Sequence, residues 1–73
     1  MKVIDIREAC CLISAGLDKQ LKQLSPGEEV EVIISGDIGA EMLSDVAKRE
    51  GCEIVQIESG GEIIRAVAKK RAG

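Results

Sequence analysis

Apolar residues recur along this chain with two different periods, and the change from one to the other marks out its elements. Val3-Ile4-Asp5-Ile6-Arg7 is rich in β-branched residues and ends in charge, which predicts a short first strand. Ile13, Leu17, Leu21 and Leu24 follow at spacings of four, four and three, one face of a helix. Ser14 is the expected N-cap of that helix, although Gly16 falls inside its first turn. Ser25-Pro26-Gly27 ends it, because proline removes an amide donor and glycine permits a tight turn. From Glu29 to Ser35 the period shortens to two: Val30, Val32 and Ile34 point one way, Glu29 and Glu31 the other. Ile33 breaks the alternation and predicts a central strand with partial cover on both faces.

A second helix is expected after the turn Gly36-Asp37-Ile38-Gly39, with Asp37 as its cap. Met42, Leu43, Val46 and Ala47 form its core stripe, and Gly51 is its left-handed stop. Two more strands, Glu53 to Glu58 and Glu62 to Ala68, are joined by Ser59-Gly60-Gly61, where the Gly-Gly pair signals a tight hairpin. The order β-α-β-α-β-β predicts a two-layer α/β sandwich. A four-stranded mixed sheet carries both helices on one face, the first two strands parallel and the last two antiparallel. One domain over residues 1–73 accounts for the whole pattern.

Composition narrows what such a domain does. At 73 residues it can bury only about 60% of its unfolded surface, too little to hollow out a deep substrate cavity. No apolar run is long enough for a membrane span or a secretory signal, so the expected location is the cytoplasm. The absence of histidine excludes Ser–His and Cys–His catalysis within this chain and any histidine-ligated metal. Without Phe, Trp or Tyr there is no platform on which bases could stack, and a net charge of −3 opposes phosphate binding. Nucleic acid is therefore an unfavoured partner. Lys69-Lys70-Arg71 is read as a solvated basic tail. The Gly36–Gly39 turn lacks the lysine and glycine spacing of a phosphate loop.

Three cysteines remain, Cys10, Cys11 and Cys52. An odd number argues against a disulfide framework, and three thiols fall short of a closed zinc site, so neither metal nor cofactor is expected. Cys52, just past the second helix, reads as a packing residue, and Asp5 as a solvated strand carboxylate. Cys10 and Cys11 lie between the first strand and the first helix. A cysteine at a helix N-terminus meets unpaired amides and the positive end of the helix dipole, which favour the nucleophilic thiolate. Arg7 or Lys19, if folded close, would add to that effect, and Glu8 would oppose it. Helix one is expected to begin within three residues of Cys11.

In element order and in several local motifs the chain resembles the TusA/SirA/YedF family of small sulfur carriers, over nearly its whole length. The family's Leu-Asp-x-x-Gly-Leu-x-Cys-Pro-x-Pro pattern aligns with Ile4-Asp5-Ile6-Arg7-Glu8-Ala9-Cys10-Cys11-Leu12-Ile13-Ser14. Pro26-Gly27-Glu28 before a strand, Ala47-Lys48-Arg49-Glu50-Gly51 closing helix two, and Gly60-Gly61 before the last strand extend the likeness. Counting forward from Ile4-Asp5 places the family cysteine at Cys11; counting back from Pro26-Gly27 places it at Cys10. Both motif prolines are absent and Glu8 replaces the family glycine, which removes preset backbone angles where the sulfur would be presented. The resemblance implies a sulfurtransferase that relays persulfide sulfur through Cys11 or Cys10, with Cys11 favoured. Its implied partners are a cysteine desulfurase or other persulfide donor and a downstream sulfur acceptor. The alternative is a non-catalytic binding or regulatory module that keeps the fold without the proline motif.

Overall fold

The computed structural model describes residues 2–8 and 16–71. Its elements follow in the expected order: β1 (Lys2–Ile6), α1 (Leu17–Lys22), β2 (Glu29–Ser35), α2 (Ala40–Arg49), β3 (Cys52–Gly60) and β4 (Ile63–Lys70). The sheet runs β1-β2-β4-β3, with β1 and β2 parallel and both remaining pairs antiparallel. β2 is thus central, and its alternating burial follows from that place: Val30, Val32 and Ile34 are fully buried while Ile33 is half-covered.

One face of the sheet carries the core. Ile4 of β1, Val30, Val32 and Ile34 of β2, and Ile64, Ala66 and Ala68 of β4 form a single cluster with Leu17 and Leu21 of α1 and Leu43, Val46 and Ala47 of α2. Both helices lie on that face, giving the two-layer α/β sandwich. With no aromatic residue in the chain, the core is assembled from aliphatic side chains and Cys52, and its buried members among the described residues are all apolar. No helix among the described residues is long and apolar enough to cross a membrane.

The local differences from expectation have physical causes. Met42 belongs to no buried stripe: it is 48% exposed, because Leu43, Val46 and Ala47 already fill the face of α2 and Met42 lies about 100° around the helix from Leu43. Asp37 does not cap α2. Gly39 holds the N-cap position with no side-chain cap, and the Asp37 amide donates to Ser35 Oγ at 3.3 Å. The α1 helix starts at Leu17, behind a left-handed Gly16, and so beyond the three-residue window after Cys11. Ser14, the expected cap, and Ile13 lie outside the described residues. The hairpin turn is one residue later than Ser59-Gly60-Gly61. Gly60 pairs with Ile63, leaving Gly61-Glu62 as the two-residue loop, and the positive φ of Gly61 suits the first central position of a II′ turn. Gly51 is left-handed just after the α2 cap, as its place in the chain predicts.

Candidate functional site

Because β1 and β2 are parallel, their C-terminal ends reach the same edge of the sheet. The register Ser35↔Ile63 and Gly60↔Ile63 brings the β3–β4 turn to that edge too. Between them lies an open cleft of 1170 Å³, lined by Asp5, Arg7 and Glu8 from the end of β1, Ser35 to Asp37 after β2, and Gly61 to Ile63 at the hairpin. Glu8 is the last described residue before the segment that carries Cys10 and Cys11. Both cysteines lie outside the described residues.

Hydrogen bonds hold the cleft walls. The Gly36 amide donates to the Glu62 carbonyl at 2.8 Å, closing the β2–α2 turn against the hairpin. With the Asp37 amide on Ser35 Oγ and the Ile38 amide on the Ser35 carbonyl, three of the four amides of this turn are committed within the protein. A phosphate cradle needs them free, so the turn is not one.

Asp5 is more than a solvated carboxylate. Its Oδ1 accepts from the Arg7 amide at 3.2 Å and from Arg7 Nε at 2.9 Å, while Arg7 Nη2 meets Oδ2 at 2.9 Å. This two-pronged pair turns the chain at the end of β1. Hydrogen bonding from the guanidinium, first of all, holds the Asp5 carboxyl below the ordinary aspartate range. Arg7 is therefore engaged with Asp5, and Lys19 is exposed on α1. Among the described residues, no group of three His, Cys, Asp or Glu side chains converges to hold a metal ion.

Cys52 is the thiol whose surroundings are described. It opens β3, is fully buried, and its Sγ lies 3.8 Å from the Glu50 carbonyl. Burial pushes its thiol up, against an opposing pull from the Lys70 ammonium. It is a packing residue that resists ionisation.

One residue of structural consequence escapes a simple reading of the chain. Lys70 is no tail: it closes β4, half-buried, and its Nζ donates to the Glu50 carbonyl at 2.8 Å and to the Leu21 carbonyl at 3.4 Å. A signal existed, since the alternation Ile64, Ala66, Ala68 continues to position 70 on the core face. Arg71 alone of the basic triplet is both exposed and outside the strand.

No family model matches the chain. It is 34% identical over 73 residues to a protein of Archaeoglobus fulgidus named "Putative sulfur carrier protein", a match covering 96% of this chain and 97% of that protein. With that identity over essentially the full length of both, the chain belongs to the sulfur-carrier protein family.

Proposed function

We propose that this protein carries sulfur as a persulfide on Cys11 or Cys10, in the manner of the TusA/SirA/YedF carriers it resembles. Cys52 is the observation that bears most weight. A carrier thiol must be reachable and readily ionised, and Cys52 is fully buried with its thiol form favoured. That leaves the adjacent pair Cys10 and Cys11, which begins two residues after the cleft-lining residue Glu8. Taking up the sulfur needs no histidine and no enclosed cavity. A thiolate attacks the outer sulfur of a donor persulfide, the donor leaves as its own thiolate, and the sulfane sulfur remains on the carrier as a new persulfide. The acceptor's thiolate, or another nucleophile, reverses the step. The donor is a cysteine desulfurase or another protein persulfide.

Intact-mass and peptide-level spectrometry after incubation with a persulfide donor tests this. The expected result is an adduct of about +32 Da, one added sulfur, on the peptide containing Cys10 and Cys11. The adduct persists in Cys52→Ala and is lost when both Cys10 and Cys11 are changed to serine. Absence of any adduct on that peptide points instead to a module that binds without carrying sulfur.

A further inference from the structure

The sheet has two faces, and the helices cover only one. On the other, β-strand alternation places Val3 and Asp5 of β1 and residues 29, 31, 33 and 35 of β2. Beside them stand residues 63, 65, 67 and 69 of β4 and, through the register, Glu53, Gln56 and Glu58 of β3. Ile33 and Val67 are half-buried near its middle, and Val3 is 52% exposed at its β1 edge.

The charge on this face is one-sided. Asp5, Glu29, Glu31, Glu53 and Glu58 stand against Arg65, Lys69 and the Arg7 guanidinium paired to Asp5, five carboxylates against three cations, a net of −2. That is two of the three net negative charges of the whole chain, and everything outside the face is nearly balanced at eight acids and seven bases. The distribution, more than the total, decides the partner.

We propose that the open sheet face is a docking surface for a basic protein, one that sets lysine and arginine against these carboxylates around apolar contact with Val3, Ile33 and Val67. The sign of the charge selects among occupants. Nucleic acid and anionic lipid would meet repulsion. A second copy related by a two-fold axis would set the same −2 face against itself. A cationic protein surface is drawn in and oriented by the same field. Four strands about 4.8 Å apart and about 23 Å long offer roughly 440 Å², near half of the about 800 Å² per partner of a stable complex. Such a contact forms quickly and releases quickly. Resting on the carrier reading above, this partner is a protein that hands sulfur over or takes it away, for which release matters as much as binding.

The test titrates the isotope-labelled full chain with a short peptide alternating lysine and leucine, and with its glutamate–leucine counterpart, following backbone amides by NMR. The expected shifts centre on Glu31, Ile33, Arg65 and Val67, appear only with the lysine peptide, and weaken about tenfold as salt rises from low to physiological strength. Glu31→Gln combined with Glu58→Gln lowers the affinity about tenfold while the spectrum of the free protein elsewhere is retained. Shifts centred on Asp37 and Glu62 or on the helices, equal binding of the glutamate peptide, or an unchanged affinity in the double variant would overturn the proposal. Loading with glutathione persulfide keeps the two readings apart. A double variant that loads normally but has lost the titration isolates the docking face. Normal loading with shifts centred elsewhere removes the face and spares the carrier. A wild-type chain that does not load removes the carrier and leaves the titration to decide the face.

Discussion

The ammonium of Lys70 donates to the backbone oxygen of Glu50, the residue that caps α2, across 2.8 Å. The same nitrogen reaches the Leu21 carbonyl in the last turn of α1 at 3.4 Å. Helix C-termini leave carbonyls without partners and carry partial negative charge, so one cation serves both helices. The Lys70 backbone is engaged as well: its amide donates to the Glu28 carbonyl and its carbonyl accepts from the Gly27 amide, each at 2.9 Å. The last strand, the turn after α1 and both helix ends therefore meet at one residue.

Lys70→Met, which keeps the apolar stem and removes the charge, is accordingly expected to destabilise the domain by about 2 kcal/mol, the usual scale for a hydrogen bond to a charged group. Urea unfolding followed by far-ultraviolet circular dichroism measures it. Lys69→Met, on the opposite face of the same strand, is the control and should change little. Equal effects of the two substitutions would mean that Lys70 acts through bulk charge and not through the helix ends.

Gly36 marks the closest approach of the β2–α2 turn to the hairpin. A Cβ there would stand 3.2 Å from the carbonyl oxygens of both Gly61 and Glu62, and the latter oxygen accepts the Gly36 amide. Backbone atoms on both sides cannot step aside as a side-chain tip would. Gly36→Ala should cost about 1–3 kcal/mol, the range for forcing an added methyl into filled space. Gly60→Ala, where nothing lies within 4 Å and φ is unexceptional, should be near neutral. The contrast between these two glycines in thermal melts checks the packing of the cleft wall directly.

The fold was legible because its signals were periodic. Alternation over residues 29–35 named a central strand to the residue, and the order of periods named the layers. Signals confined to one residue carried less. Asp37 has the chemistry of a cap, but the backbone turns at Gly39 and leaves the aspartate on the cleft. Met42 is apolar beside Leu43, yet it lies about 100° around the helix from it, off the face that Leu43, Val46 and Ala47 share. Lys70 was obscured by composition: three consecutive cations suggest a tail, while the strand's period of two carries the middle one inward. Cys10 and Cys11 were singled out by the family pattern, and they lie outside the described residues.

Cys52 gives the stability a pH dependence with a definite sign. Burial raises its pKa in the folded state above the ordinary value of about 8.5, with Lys70 and Arg71 pulling down and Glu50 adding to the rise. The folded protein then holds this proton more tightly than the unfolded chain does. Its contribution is complete below about 8.5 and is lost as pH rises through the folded value, because the unfolded chain releases the proton first. Urea midpoints should therefore fall above that pH, and Cys52→Ala should flatten this part of the curve. An unchanged slope in the variant would assign the fall to other groups, lysines foremost.

The same burial orders the reactivity of the three thiols. Alkylation requires both contact with the reagent and the thiolate form, and Cys52 is deficient in each while the protein stays folded. Its labelling must wait for local or global opening, so its rate should follow stability and accelerate in dilute urea. Cys10 and Cys11, if either is the carrier thiol, react without unfolding, and their labelling should be insensitive to the same urea. Limiting iodoacetamide on the folded protein, quenched and mapped by peptide mass, compares the sites in one experiment. The expected order is the Cys10–Cys11 peptide well ahead of Cys52, with Cys11→Ser removing more of the fast label than Cys10→Ser. Labelling of Cys52 first, or of all three together, would contradict the assignment of the carrier thiol. Fast labelling lost only in Cys10→Ser would move it one residue back, to the position reached by counting from Pro26-Gly27.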